Sequence, residues 1–197
     1  MKYLALGDSY TIGESVNQTE TFPYQLVTKL SSDSDLTFEA PKMIAKTGWT
    51  TGELLKGIKQ ARPKSDFDLV TLLIGVNNQY RAYSIEEYKT ELQTLINQTI
   101  QFANGNASHV ILVSIPDYGV TPFGKEMAQK IDLELRAFNQ VGKELAMKNH
   151  LHWVDIFQIS KAAEQKPDLL ASDNLHPSEK MYQLWVEEIY MVAKTIF

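Results

Sequence analysis

A serine near one end of this chain and an aspartate–histidine pair near the other stand in settings that suit acyl chemistry. Ser9 follows the apolar run Leu4-Ala5-Leu6 and the turn residues Gly7-Asp8. A serine hydroxyl becomes a nucleophile only when a base takes its proton, and histidine, which titrates near neutrality, suits that task. Asp173 and His176 share the loop Asp173-Asn174-Leu175-His176-Pro177, so their mutual geometry can be set locally. A carboxylate on the second ring nitrogen fixes the imidazole tautomer and stabilises its charged form. Attack on an ester carbonyl creates an oxyanion, which needs preorganised donors. Gly48, within Thr47-Gly48-Trp49, offers a backbone N–H that can be closely approached. Asn77, within Gly75-Val76-Asn77-Asn78, offers a directional amide, and the Ser9 N–H is the third donor. Each fragment alone is an ordinary turn. Nucleophile, base, carboxylate and oxyanion donors together point to catalysis.

The elements that must bring these residues together read as alternating strands and helices. Lys2 to Leu6 is a short buried strand, and Pro23 opens a helix whose inner stripe is Tyr24, Val27 and Leu30, broken by the polar cluster at residues 31–35. Residues 36–45 hold a second strand, which Pro41 assigns to an edge or to an irregular end. Thr50 and Glu53 have capping-box spacing and start a helix that turns Leu54, Leu55 and Ile58 inward. Residues 68–74 are almost continuously apolar, as in a strand covered on both faces. Ser84 and Glu87 begin the next helix, with Tyr88, Leu92, Leu95, Ile96 and Ala103 at helical spacing. A fourth strand at 110–115 is followed by a long helix bearing Met127, Ile131, Leu135, Phe138 and Leu145. A weaker fifth strand lies at 151–156, and a last helix carries Tyr182, Trp185, Ile189 and Ile196. This alternation predicts an α/β domain with a parallel sheet of about five strands, covered on both faces. No repeat or linker divides the chain, so residues 1–197 read as one domain. The polar clusters then sit at the carboxyl ends of strands or before the last helix, where open α/β sheets gather their chemistry.

The combination of Gly7-Asp8-Ser9-Tyr10, Gly48, Gly75-x-Asn77 and Asp173-x-x-His176-Pro177 resembles the GDSL/SGNH hydrolase family over nearly the whole chain. The resemblance implies a three-layer, flavodoxin-like α/β/α sandwich that hydrolyses esters through an acyl-serine without a metal. It assigns Ser9, His176 and Asp173 to a triad, and Ser9, Gly48 and Asn77 to the oxyanion hole. Two positions depart from the pattern. Tyr10 replaces the leucine of the family's name, and Asn78 replaces an aspartate, which opens the question of what orders the neighbouring loop. Trp49, Asn78 and Tyr118 are expected to line the substrate pocket. O-deacetylation of a sugar, lysophospholipid cleavage and thioester cleavage would use the same machinery.

The composition narrows the field further. Hydrophobic residues make up 44% and charged residues 22%, an ordinary globular balance. A net charge of −5 leaves no basic surplus for nucleic acid. Without cysteine there are no disulfides, thiolate metal sites or cysteine nucleophiles. No His and carboxylate cluster has metal-ligand spacing, and no cofactor is called for. His109, His150 and His152 flank strands and read as surface or structural residues. The expected partner is a small-molecule ester, with no nucleic acid and no stable membrane insertion, and the oligomeric state is left open. The chain as written reads as cytoplasmic, or as secreted or periplasmic if a leader has been removed. A non-catalytic flavodoxin-like binding module would leave Asp173 and His176 without a task. A conventional α/β-hydrolase would need Gly-x-Ser-x-Gly, and Thr11 stands where its second glycine belongs.

Overall fold

The computed structural model describes residues 1–32 and 36–197. Its centre is a five-stranded sheet in the order β2-β1-β3-β4-β5. The strands are β1 (Tyr3–Gly7), β2 (Lys42–Ala45), β3 (Leu69–Leu73), β4 (Val110–Val113) and β5 (His152–Val154), and every neighbouring pair is parallel. Residues of β1, β3 and β4 are buried throughout, which is why they read as unbroken apolar runs. Thr71 is the polar exception in β3, and its hydroxyl shares a 2.7 Å hydrogen bond with that of Tyr3. The edge strand β2 buries only Ile44 fully and starts directly after Pro41, where a missing N–H costs the ladder nothing.

The chain begins in the middle of the sheet, moves outward to β2, and then crosses back over β1 to β3 and onward to β5. That reversal puts helices on both faces. α2 (Phe22–Ser32) and α8 (Glu179–Ala193) pack together, whereas α3 (Thr51–Ala61), α5 (Ile85–Phe102) and α6 (Ala128–Lys148) pack in series. Three layers result: an α/β/α fold. Short helices follow three of the strands: α1 (Ser9–Ile12) after β1, α4 (Val76–Tyr80) after β3 and α7 (Phe157–Ser160) after β5.

Several helix starts fall where side-chain chemistry puts them. Thr50 accepts the Glu53 N–H while the Glu53 carboxylate accepts the Thr50 N–H, a complete capping box, and Ser84 caps α5 through the Glu87 N–H. Other expectations shift. The buried stripe of α2 is Phe22, Leu26 and Leu30, so Tyr24 and Val27 are only half-buried. α2 runs through Ser32, and the remainder of the polar cluster, residues 33–35, lies outside the described residues. Met127 is exposed, in a turn before α6 rather than on its inner face. Among the described residues no helix is long and apolar enough to cross a membrane.

Candidate active site

The order in which the chain adds strands reverses between β1 and β3, and the crevice beyond their carboxyl ends is where the polar clusters meet. Ser9 is the first residue of α1, with Asp8 as its N-cap accepting the Tyr10 N–H at 3.1 Å. The glycine before them is forced by space. A Cβ at Gly7 would lie 2.3 Å from the Leu73 carbonyl of the neighbouring strand. Ser9 is almost fully buried, as is Asp8, whose Oδ2 has no hydrogen-bond partner among the described residues. Burial therefore pushes the Asp8 carboxyl up to about 7, against the opposing pull of the Tyr10 N–H.

The loop with Asp173 and His176 is closed by its own backbone. Ala171 N–H donates to the His176 carbonyl at 2.8 Å, and Ser178 N–H donates to the Leu169 carbonyl at 2.9 Å. Inside it, His176 Nδ1 lies 2.6 Å from Asp173 Oδ2. Asp173 Oδ1 accepts the N–H groups of Leu175 and His176, both at 3.0 Å. The Ser15 hydroxyl adds a fourth donor, 2.7 Å from Oδ2. Burial pulls the Asp173 carboxyl upward, but these hydrogen bonds outweigh it and hold the group well below the usual carboxylate range. Tyr10, at the family's leucine position, sets its ring edge-on to His176 at 5.8 Å and to Trp185 at 6.1 Å. Its carbonyl accepts the buried Tyr182 hydroxyl at 3.0 Å, which ties α1 to α8.

Gly48 occupies a tight turn in which Trp49 N–H donates to the Lys46 carbonyl at 3.2 Å. Its φ of +83° identifies the third position of a type II turn, where glycine is favoured. Lack of space is not the reason, since a Cβ there would meet nothing closer than Arg81 Nη2 at 3.6 Å. Asn77, in the first turn of α4, donates from Nδ2 to the Trp49 carbonyl at 3.0 Å, leaving its second amide hydrogen for another acceptor.

Ser9, Gly48, Asn77 and His176 line one cavity of about 190 Å³, with Tyr118 on its wall. Among the described residues no hydrogen bond joins Ser9 to His176, although both face this space. The Tyr118 hydroxyl donates to Gln79 Oε1 at 2.9 Å, and burial pushes its pKa up to about 12 despite that bond.

Between residues 5 and 184 the sequence matches the profile of the GDSL-like lipase/acylhydrolase family. The chain belongs to this family. Membership makes it a hydrolase that acts on ester bonds. No curated protein matches the chain. Solved structures share the fold. The psychrotrophic esterase EstA from Pseudoalteromonas sp. is 20% identical with a TM-score of 0.71, the match covering 98% of this chain and 97% of that one. A lipase/acylhydrolase from Enterococcus faecalis is 20% identical with a TM-score of 0.76, over 99% and 96%. An acetylxylan esterase from Geobacillus stearothermophilus is 22% identical with a TM-score of 0.71, over 98% and 93%.

Two of the three expected pocket residues lie elsewhere in this GDSL-like chain. The Trp49 ring packs onto α3 at Gly57, where a Cβ would sit 2.2 Å from it. Asn78 is fully buried. Its Oδ1 accepts the Thr51 N–H at 3.0 Å and its Nδ2 donates to Thr51 Oγ1 at 2.7 Å. The Thr51 hydroxyl in turn donates to the Glu91 carboxylate. The amide at position 78 thus orders the start of α3, with the Thr51 hydroxyl linking it to the Glu91 side chain. The walls come instead from Tyr10, Val76, Tyr80, Tyr118, Phe123 and Leu175. Tyr80 had a readable signal, standing one helical turn after Asn77. Phe123 and Ser15 had none, because both reach the site from irregular loops.

Proposed function

We propose that this protein cleaves small, neutral carboxylic esters through an acyl-serine, with Ser9 as nucleophile and residues 1–197 acting as one domain. The observation that carries the reading is the 2.6 Å pair of His176 and Asp173 on the same cavity as Ser9, Gly48 and Asn77. His176 takes the Ser9 proton as Oγ bonds to the carbonyl carbon, and the Ser9 N–H, Gly48 N–H and Asn77 amide receive the oxyanion. Collapse breaks the bond to the alcohol oxygen, which takes the proton back from His176. Water then repeats the sequence on the acyl-enzyme, releasing the acid and restoring Ser9.

The cavity supports a substrate class. Its volume of about 190 Å³ falls below the roughly 300–1,000 Å³ typical of sites for drug-sized ligands. Besides the proposed catalytic groups, six apolar or aromatic side chains and Thr47 line it, and the Thr47 and Tyr118 hydroxyls are already engaged by Glu14 and Gln79. These features favour a compact apolar acyl or alcohol group over a long lipid chain or a heavily hydroxylated sugar. Ser9→Ala is expected to abolish turnover of a short-chain aryl ester and labelling by a fluorophosphonate, with unchanged unfolding. Activity should fall steeply as the acyl chain lengthens. Full activity in Ser9→Ala overturns the nucleophile, and a preference for long acyl chains or for acetylated sugar overturns the substrate class.

A further inference from the structure

The turn at residues 46–49 makes contacts that its own backbone does not require. On one side of Gly48, the Thr47 hydroxyl donates to the Glu14 carboxylate. On the other, the Gly48 carbonyl accepts Arg81 Nη2 at 2.6 Å and the Trp49 carbonyl accepts Asn77 Nδ2 at 3.0 Å. Arg81 closes α4, and its own N–H donates to the Asn77 carbonyl at 3.0 Å, which ties the two backbones together. The guanidinium is anchored from behind. Its Nη1 lies 3.2 and 3.4 Å from the two Glu53 oxygens, and Glu53 is itself fixed by the Thr50 N–H at 2.9 Å. That N–H and the nearby Arg81 charge hold the Glu53 carboxyl below its ordinary range, so it stays ionised opposite Arg81.

We infer that Arg81 is a positioning residue for ester hydrolysis: it bridges Glu53 and the Gly48 carbonyl and so fixes the Gly48 turn against Asn77. The inference rests on the proposed reading of Gly48 and Asn77 as oxyanion donors. Those donors come from separate loops, one after β2 and one after β3, and an oxyanion hole works only if both aim at one point. Glycine makes the turn possible and also makes it soft, because it has the widest backbone freedom. Without Arg81, the Asn77 amide alone among the described α4 side chains would hold the turn, while also being needed for catalysis. Arginine suits the task for a geometric reason. Its planar fork can meet a carboxylate and a carbonyl at once, whereas a lysine ammonium is a point charge. The pair is substantially exposed, with side chains 40% and 38% accessible, so its direct contribution to stability is small. Its effect belongs in the rate.

Steady-state kinetics on a short aryl ester would compare wild type with Arg81→Ala, Arg81→Lys and Glu53→Gln. Fluorophosphonate labelling of Ser9 and thermal unfolding would be followed in parallel. Arg81→Ala is expected to lower kcat by about 10- to 100-fold, below the roughly 10²–10³ of losing a donor outright. KM should hold and labelling should slow in step with kcat/KM. Arg81→Lys should recover little, Glu53→Gln should show a smaller loss of the same kind, and millimolar guanidinium should partly restore Arg81→Ala alone. Unchanged kcat in a folded Arg81→Ala overturns the inference, as does a rise in KM alone, which would make Arg81 a substrate contact. Should Arg81→Ala not fold, Glu53→Gln with wild-type kcat overturns it equally. A wild type that neither turns over ester nor labels at Ser9 would defeat the proposed function instead.

Discussion

Asp8 and Asp173 are the same residue type, each next to a residue that lines one cavity, Ser9 and His176, and the protein drives them in opposite directions. Asp8, beside Ser9, is completely buried with one backbone donor and an Oδ2 unpaired among the described residues, so its carboxyl is pushed up to about 7. Asp173, beside His176, keeps its side chain 31% accessible and accepts four hydrogen bonds, so it is held well below the usual range. Proximity to the site therefore does not decide ionisation; the number of donors against the depth of burial does. The serine corner is a dry frame that gains from neutrality. The histidine corner is a fixed negative charge beside the ring that takes a proton in the proposed mechanism.

The most severe way to break this contrast is Asp173→Asn. It removes the charge but leaves an acceptor, and is expected to lower kcat on the order of 10³–10⁴-fold. A loss under tenfold in steady-state assays would mean that the Asp173 charge does not serve catalysis. At the other corner, Asp8→Asn is expected to spare activity and change stability. Asp8 titrates near 3.8 in the unfolded chain and near 7 when folded. The folded state therefore binds more protons between those values, and stability falls as pH rises from about 4 through 7. From those two values the cost reaches ~4 kcal/mol above pH 7. Asp8→Asn should remove that slope and be more stable at pH 8, which urea unfolding across pH 4–8 would reveal; a slope identical to wild type would refute the buried-neutral reading. The mildest change, Ser15→Ala, deletes one of the four donors to Asp173. A loss of about 1 kcal/mol of charge stabilisation, or roughly fivefold in kcat, is expected. An unchanged rate would show that three donors suffice.

Much of the fold was legible because local chemistry and tertiary packing agree. The apolar runs that became β1, β3 and β4 are buried on both faces, so no alternation was needed to recognise them. Thr50 with Glu53 and Ser84 with Glu87 marked helix starts through bonds made inside four residues. The Asp173–His176 pair is local in the same sense. On α2 Leu30 was placed inward correctly, but Tyr24 and Val27 were taken for the stripe that Phe22 and Leu26 fill, because which face counts as inward depends on where α8 lies. Trp49 was misplaced for a similar reason: its neighbour in sequence is the Gly48 turn that we propose serves the oxyanion, but its neighbour in space is Gly57.

The sequence by itself determined the element types, the caps, the family motifs and the residue kinds available for chemistry, because each depends on contacts within a few positions. Only the tertiary structure decided that Ser9, Gly48, Asn77 and His176 share a cavity, since the strand order brings the ends of β1, β2 and β3 side by side. It also decided the opposite fates of Asp8 and Asp173 and the clamp of Arg81 on Gly48. Burial depth and donors from distant loops are sums over the whole fold, and no local stretch of sequence contains them.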